Sequence, residues 1–372
     1  MGKFQPAPIF SDYMVLQRGK NITVFGTGED GTEVTGELAG FRASSVVRGG
    51  KWQMVFPPMG FARFMSLELS DGETDFFFEN IVVGEVWVIS GAYSRPEADE
   101  LVKNENDSEE NGGNVSRYYS KNGWRTLEES EKTVCSAFAK KVSSIRDTPV
   151  GIIELDGEKA EETAPYTICG ALYYRDNTQD IVTEQNYFYE LTKQLLKMRE
   201  IWHNDNLPIV IGQLPLLKDE NDTACIVREA QMRAYRNLKN MGIAVLLDCA
   251  DDEQTVGERF AAQALHLVYG GYDGAFSPII RGAVWRSDVV ELHFDNAFGG
   301  FKIDEEAEGF EICGDDGVFY PSIADISGER IFLSSSEVST PRGARYLWNN
   351  HTKNLIRNGF GLPLAPFRIN ID

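Results

Sequence analysis

The sequence predicts an α/β protein in which a core of parallel β-sheet, covered by helices, is flanked by β-sandwich-like segments. Two observations lead to this prediction. Short strand-like runs separated by turn residues fill both ends of the chain, and apolar strands alternate with amphipathic helices between them. The predicted divisions are residues 1–82 for an N-terminal β-sandwich, 83–271 for the α/β domain and 272–372 for a C-terminal β-rich segment.

Residues 1–82 carry the pattern of a small sandwich. Runs rich in Val, Phe and Thr are interrupted by clusters of turn residues at residues 18–21, 28–31, 48–51 and 70–72. A spacing of about 8–12 residues between turns is typical of the short strands of a β-sandwich. The stretch shows no helical periodicity, so we predict that it contains strands alone.

The α/β domain begins with a nearly unbroken apolar run at residues 81–91, as expected for a strand that is buried on both faces. Helix-like and strand-like stretches then alternate until Gly270 and Gly271 end the last helix. Helices are predicted at residues 130–142, 187–202, 227–238 and 257–269, and strands at residues 149–153, 170–174, 208–212 and 243–248. Alternation of this kind is typical of a parallel sheet with helices on both faces.

From residue 272 onward the chain returns to short alternating strands and turns, and residues 289–294 are an example of such a strand. The sequence is compatible with two separate β segments and with one domain formed by both ends of the chain.

The composition predicts a folded, acidic protein. The chain has 372 residues, 57 acidic and 36 basic side chains, a formal net charge of −21 and a pI near 4.7. Its hydrophobic content of 42% is ordinary for a globular protein. Nucleic acids and anionic membranes attract positively charged surfaces, so the charge argues against both as partners.

Cysteine and histidine are sparse and dispersed, so we predict no disulfide framework, no metal site and no cofactor. The five cysteines form no Cys-x-x-Cys pair and are expected to be reduced and buried. The N-terminus has no apolar signal segment, and no apolar run has the length of a membrane span. We expect a cytoplasmic protein, or a secreted or periplasmic one if a signal segment has been removed.

Short strings along the chain are more specific than its composition. They begin with Phe-Ser-Asp-Tyr-Met-Val-Leu-Gln-Arg at residues 10–18 and include Gly-Glu-Val-Trp-Val-Ile-Ser-Gly at residues 84–91. The other strings lie at residues 24–27, 50–52, 56–58, 149–153, 207–208, 212–214, 228–231, 257–259, 347–349, 354–355 and 361–368. Together, and in this order, they resemble the sialate O-acetylesterase family.

The resemblance implies an SGNH-hydrolase core of flavodoxin-like, three-layer architecture. It also implies removal of acetyl groups from sugar hydroxyls, in particular those of sialic acids, by a serine, a histidine base and an orienting aspartate. A serine hydroxyl becomes a good nucleophile when a hydrogen-bonded imidazole accepts its proton, and fixed donors stabilise the oxyanion that develops.

The nucleophile position departs from the family pattern. The family strand ends Ser-Gly-Gln-Ser-Asn-Met, whereas residues 90–95 read Ser-Gly-Ala-Tyr-Ser-Arg. Without a gap, Tyr93 takes the position of the nucleophile and Ser94 follows it. Either Ser94 is a nucleophile displaced by a one-residue bulge, or it is an ordinary loop hydroxyl beside a tyrosine that fills the acyl pocket.

The oxyanion elements depart from the pattern as well. The family's Gly-Gly-Thr turn is replaced by residues 154–160, where Asp156 and Glu158 oppose a developing negative charge. The family's Trp-Tyr-Gln-Gly-Glu-Ser-Asn element corresponds to Tyr-Tyr-Arg-Asp-Asn-Thr-Gln at residues 173–179, where Asn177 is a candidate oxyanion donor. The candidate binding residues are Tyr93, Tyr174, Arg175 and Asp176, although an ion pair between the last two is the alternative.

The base position contains no histidine. The family has Asp-x-His-Pro before a helix that begins Val-Gly-Glu-Arg, but this chain has Asp-Cys-Ala-Asp-Asp-Glu-Gln-Thr at residues 248–255. Asp251, Asp252 or Glu253 acts as a base near neutral pH only if burial or mutual repulsion raises its pKa. The alternative is a charged helix N-terminus, which the helix dipole favours. We interpret the four histidines elsewhere as structural.

Three functional hypotheses follow. The first is a sialate O-acetylesterase-like protein that has lost its Ser-His-Asp centre and binds carbohydrate or another partner without catalysis. The second is a carbohydrate O-acetylesterase with Ser94 as nucleophile and Asn177 as oxyanion donor, and the third is a structural or assembly role. We expect a small-molecule or glycan ligand, and a neutral sugar because acidic residues occupy the site loops. Aromatic residues either stack on sugar rings or belong to the core, namely Tyr118, Tyr119, Trp124, Tyr173 and Tyr174.

Overall fold

A computed structural model describes most of the chain. The described residues are 4–92, 115–121, 123–127, 131–155, 160–175, 183–217, 223–271, 274, 276–287, 289–303, 306–348 and 354–371. The chain forms two compact units. The first comprises Met1–Tyr173, Leu195–Ile209 and Glu253–Ala264, and the second comprises Tyr174–Gln194, Val210–Asp252 and Leu265–Asp372.

Residues 4–92, all of which the structure describes, form eight strands and no helix, as the sequence predicts. These strands are β1 (Phe4–Pro6), β2 (Val15–Gln17), β3 (Ile22–Gly28), β4 (Glu33–Leu38), β5 (Phe41–Val46), β6 (Lys51–Phe56), β7 (Ala62–Ser70) and β8 (Asp75–Ala92). Strands β1, β3 and β6 form an antiparallel sheet, and β4 pairs with β5 and β7. In β6 every second side chain is buried, because successive side chains point to opposite faces of a strand.

Strand β8 passes from one kind of sheet into another. Its first part alternates between half-buried and exposed side chains and pairs antiparallel with β7. From Ile81 to Ile89 every residue is buried, and this part pairs in parallel with β2 and with β11 (Val150–Glu154). The predicted strand with two buried faces is therefore confirmed. It runs through the predicted domain boundary at residue 82, which remains a prediction.

The rest of the first unit contains helices on a mostly parallel sheet. Its further elements are β9 (Arg117–Ser120), β10 (Gly123–Thr126), α1 (Val134–Arg146), α2 (Ala160–Thr163) and β12 (Gly170–Arg175), whose last two residues belong to the second unit. The strand order is β10-β9-β11-β8-β12. Helix α1 begins at a capping box in which the Thr133 and Ser136 side chains each accept the other residue's backbone N–H.

The predicted alternation continues along the chain with α3 (Glu184–Ile201), β13 (Ile209–Gln213), α4 (Thr223–Asn237), β14 (Met241–Val245) and α5 (Glu253–Tyr269). Strand β14 ends earlier than predicted, because residues 247 and 248 form a turn. Strands β13 and β14 are neighbours in the second unit. In the described part of the chain, no helix is long and apolar enough to cross a membrane.

The C-terminal part of the second unit is built from two four-stranded antiparallel sheets. Its strands are β15 (Ile279–Arg286), β16 (Val289–Asp295), β17 (Phe310–Cys313), β18 (Phe319–Pro321), β19 (Ile323–Ser327), β20 (Arg330–Ser334), β21 (Gly343–Tyr346) and β22 (Phe367–Asn370). The orders are β15-β16-β20-β19 and β18-β17-β21-β22, and both sheets contribute side chains to one buried core. The mixed, sheet-rich α/β fold agrees with the predicted fold class. The three-layer arrangement and the boundary at residue 271 remain predictions.

Candidate active site

The predicted site residues fall only partly within the described structure. Outside the described residues lie Tyr93, Ser94, Asp156, Glu158, Asp176, Asn177 and His351. Tyr174, Arg175 and residues 248–255 are described. Parallel sheets bind ligands at the carboxyl ends of their strands, so the side chains at those ends are the candidates for the site.

In the first unit, a carboxylate lies beside the strand that leads to the predicted nucleophile loop. Glu154, the last residue of β11, pairs in register with Ile89 of β8. The buried Tyr118 donates its hydroxyl hydrogen to Glu154 Oε2 at 2.5 Å. Glu154 thus lies where this fold presents functional side chains. The motifs of the resemblance do not include Glu154, although a charged residue at the end of an apolar strand is a usable signal.

The same part of the first unit contains a buried thiol. Cys135 lies in the first turn of α1, where burial raises the pKa of its thiol to about 12, and the charges of Glu154 and Glu253 contribute in the same direction. The thiolate is the nucleophilic form of cysteine, and this thiol is protonated at neutral pH. Cys135 therefore does not replace the missing serine. All five cysteines are buried, as predicted, and none of them forms a disulfide.

One acidic residue at the predicted base position, Glu253, binds a helix N-terminus. Glu253 is the first residue of α5, and its Oε2 accepts the backbone N–H of Val134 at 3.2 Å. Val134 begins α1, so this carboxylate satisfies one of the unpaired donors at that helix end. Asp251 and Asp252 are exposed. The geometry favours the helix N-terminus interpretation over an acidic base.

In the second unit, two predicted binding residues lie at the end of β12. Tyr174 is buried, and the Arg175 guanidinium carbon lies 5.8 Å from the centroid of the Tyr187 ring. That distance allows a cation–π interaction. Tyr174 is therefore a core residue, whereas Arg175 lies half-buried beside an aromatic ring.

Most of the other predicted aromatic residues are also buried. Tyr118, Trp124 and Tyr173 are 5%, 5% and 3% exposed, so they belong to the core. Tyr118, Tyr119 and Trp124 lie in the β9–β10 hairpin. Strands of four residues are too short to show periodicity, which is why the sequence did not indicate them.

A polar network holds the chain at the end of β13. Arg228 is 1% exposed and donates Nε–H to the carbonyl of Leu214 at 2.9 Å, while Gln231 accepts the N–H of Leu214 at 2.8 Å. Gln231 also donates to the carbonyl of Gly212, and Gln213 donates to that of Arg228. Burial lowers the pKa of Arg228 to about 10, so its guanidinium stays charged at neutral pH. Two strings of the resemblance, residues 212–214 and 228–231, thus bind each other.

The aspartate that follows β14 has an arginine partner. Asp248 matches the aspartate of the family's Asp-x-His-Pro element, and its Oδ2 forms an ion pair with Nη1 of Arg357. In the family an imidazole follows the aspartate, but residues 248–255 contain no histidine. The carboxylate therefore interacts with a permanent cation.

The three described histidines have structural surroundings. The ring of His266 packs edge-on against Phe276 with centroids 4.4 Å apart, and His293 Nε2 lies 3.5 Å from Glu291 Oε1. His203 follows α3 with a left-handed φ of 47°, a conformation common just after a helix end. These surroundings agree with the structural interpretation of these histidines.

Comparison with solved structures finds a close match in fold. A carbohydrate acetylesterase from Xanthomonas citri superimposes with a TM-score of 0.81 and 21% sequence identity, covering 98% of this chain and 99% of that chain. The chain has the fold of that acetylesterase. A protein from Arabidopsis thaliana has a TM-score of 0.36 and 15% identity over 50% of this chain, too low to support an argument. No protein-family model and no curated protein sequence matches the chain.

Proposed function

We propose that this protein is a carbohydrate O-acetylesterase that hydrolyses acetyl esters on sugar hydroxyls. The observation that carries the proposal is the shared fold with a carbohydrate acetylesterase over 98% of the chain. The strings between residues 10 and 368 that resemble the sialate O-acetylesterase family support it independently. The sialate preference of that family is not part of the proposal.

In the proposed mechanism, Ser94 is the nucleophile and Glu154 is the base. The Ser94 hydroxyl attacks the acetyl carbonyl and transfers its proton to the Glu154 carboxylate, and the tetrahedral intermediate then expels the sugar oxygen, which takes that proton from Glu154. Water releases acetate from the acyl-enzyme in the second half of the reaction. Glu154 is the proposed base because it is the last residue of β11, and β11 is the parallel neighbour of β8, the strand that leads to Ser94.

The proposal is tested by measuring acetate release from acetylated xylooligosaccharides. We expect Ser94→Ala to lower kcat by about 10³-fold or more, as removal of a nucleophile does in serine hydrolases. Ser90→Ala, a neighbouring hydroxyl on β8, is the matched control and should change kcat less than about twofold. Full activity of Ser94→Ala would rule out this nucleophile.

A non-catalytic carbohydrate-binding protein is the second candidate. It is favoured by the absence of histidine from residues 248–255 and by the ion pair of Asp248 with Arg357. It predicts that the wild-type protein binds acetylated oligosaccharides in calorimetric titrations and releases no acetate from them. Saturable acetate release that depends on Ser94 would exclude it.

A further inference from the structure

We propose that the sheet β18-β17-β21-β22 carries a binding cavity for one uncharged sugar residue. The proposal goes beyond the proposed acetylesterase function and does not depend on it. It begins from a cavity of about 460 Å³ whose lining comes mainly from these four strands and the turn between β17 and β18. Cavities that bind small molecules span about 300–1,000 Å³, so the volume is suitable.

The cavity lies on the face of the sheet that points away from the buried core. The floor of the cavity is a row of paired residues, one from each of the four strands. These residues are Phe319, Cys313, Gly343 and Asn370. Side chains alternate along strands, so the neighbouring residues Ile312 and Ala344 point to the other face, where they are part of the core.

Small residues keep the floor open. A Cβ atom at Gly343 would lie 2.9 Å from Cys313 Sγ and 3.5 Å from Phe319 Cζ, so a larger residue would occupy the space above the sheet. Phe319 supplies an apolar wall. The guanidinium carbon of Arg345 lies over the Phe319 ring, 4.2 Å from its centroid. One face of the Phe319 ring therefore makes a cation–π contact with an arginine.

The charges around the cavity balance one another. Arg342 Nε is 2.6 Å from Asp315 Oδ1, and both residues line the cavity. Arg368, a third charged lining residue, binds both carboxylate oxygens of Glu229 at 3.1 Å. Each cation therefore has its own carboxylate, and an anionic ligand would have to displace one of them.

This set of groups suits a neutral polyhydroxyl ligand. A hydroxyl group donates one hydrogen bond and accepts others, so it can bind guanidinium and carboxylate groups at the same time. The amide of Asn370 offers a further donor and acceptor, and Phe319 offers a surface for the C–H groups of a sugar ring. A carboxylated or phosphorylated sugar lacks a matching free cation here.

The test is saturation-transfer NMR titration of the full chain with unacetylated probes, which are not esterase substrates. The neutral probes are the methyl glycosides of glucose, galactose and xylose, and the charged probes are N-acetylneuraminic acid and inorganic phosphate. Arg342→Ala and Phe319→Ala alter the cavity, and Arg281→Ala is the matched control because its exposed pair with Asp295 resembles the pair of Arg342. Because Arg342 is itself exposed, we expect the Arg342→Ala protein to fold.

The expected result is that at least one neutral glycoside binds at millimolar concentration. Arg342→Ala should weaken it about tenfold, as loss of one hydrogen bond to a charged group does, and Phe319→Ala should weaken it through loss of the apolar contact with the ring, with no change in Arg281→Ala. The proposal is overturned if no neutral glycoside binds, if both cavity variants bind as the wild type does, or if a charged probe binds more tightly. None of these outcomes bears on acetate release, so the two proposals are tested separately.

Discussion

At the scale of single residues, the buried thiol of Cys135 makes a prediction about pH. Its folded-state pKa of about 12 lies above the ordinary value of 9.0, so the folded chain holds this proton more tightly than the unfolded chain. The associated stability is complete below pH 9 and is lost as the pH rises toward 12. The free energy of unfolding should fall by up to about 1.4 kcal/mol per pH unit in this range because of this group.

The measurement is urea denaturation of the wild type and of Cys135→Ala between pH 8 and 11. Tyrosine and lysine titrate in the same range in both proteins, so the difference between the two curves isolates the thiol. We expect the wild type to lose more stability with rising pH than the variant. Parallel curves would show that the thiol is not held neutral by burial.

Glu154 is the residue that the structure adds to the candidate site. If Glu154 is the general base, Glu154→Gln should lower kcat by about 10²–10⁴-fold, because proton transfer in the transition state contributes that much. Tyr118→Phe removes the hydrogen bond to Glu154 Oε2 and leaves the carboxylate in place, so activity should remain. Glu37→Gln, at an exposed side chain of β4, is the control. Normal activity of Glu154→Gln would assign the base to another group.

The sequence indicated individual residues of the candidate site, but not the residues with which their side chains interact. The resemblance selected Arg228, Gln231 and Asp248, but their partners lie up to 109 positions away, as for Asp248 and Arg357. Which pairs meet depends on how strands and helices pack, which the local pattern does not contain. Glu154 was missed for the same reason, because only the pairing of β11 with β8 makes it a neighbour of the nucleophile strand.

At the scale of secondary-structure elements, strand β8 depends on a buried carboxylate. Glu85 is 3% exposed and accepts hydrogen bonds from Gln17 Nε2 at 2.9 Å and Arg18 Nη2 at 2.7 Å. Gln17 Oε1 in turn accepts the backbone N–H of Val86, so the group ties β2 to β8. Removal of one partner of a buried pair leaves the remaining groups unsatisfied.

We therefore expect Glu85→Ala to lower the free energy of unfolding by about 3–5 kcal/mol in urea denaturation. Glu37→Ala removes an exposed partner of Arg42 and should change the free energy of unfolding by less than about 1 kcal/mol. Equal effects of the two substitutions would show that Glu85 is not structurally important.

The elements themselves were predicted well where the periodic pattern is long. Helices α1, α3, α4 and α5 and the buried strands agree in type with the prediction, since each carries several turns of apolar spacing or an unbroken apolar run. The strings shared with the family are largely packing residues. A Cβ atom at Gly257 would lie 2.5 Å from the carbonyl oxygen of Val134, and one at Gly84 would lie 2.2 Å from that of Pro149. Such glycines are required by the fold whether or not a catalytic centre is present.

At the scale of the whole molecule, the net charge of −21 bears on the choice of substrate. A negative protein repels a sialic acid carboxylate, and salt screens that repulsion over a distance of about 10 Å at 0.1 M. We expect kcat/KM to be higher for acetylated xylooligosaccharides than for O-acetylated sialic acid, and the ratio to shrink as salt increases. Asp251→Asn with Asp252→Asn should also reduce the ratio, because both carboxylates are exposed. A ratio that is independent of salt would refute the electrostatic explanation.

The central claim is that an acetyl group passes through Ser94. The most direct test is to mix the full chain with an acetylated xylooligosaccharide, quench with acid and determine by peptide mass spectrometry which residue is acetylated. We predict one acetyl group on the peptide that contains Ser94, and no acetylation of this peptide in Ser94→Ala. Acetate release without acetylation of that peptide, or the same acetylation in Ser94→Ala, would contradict it.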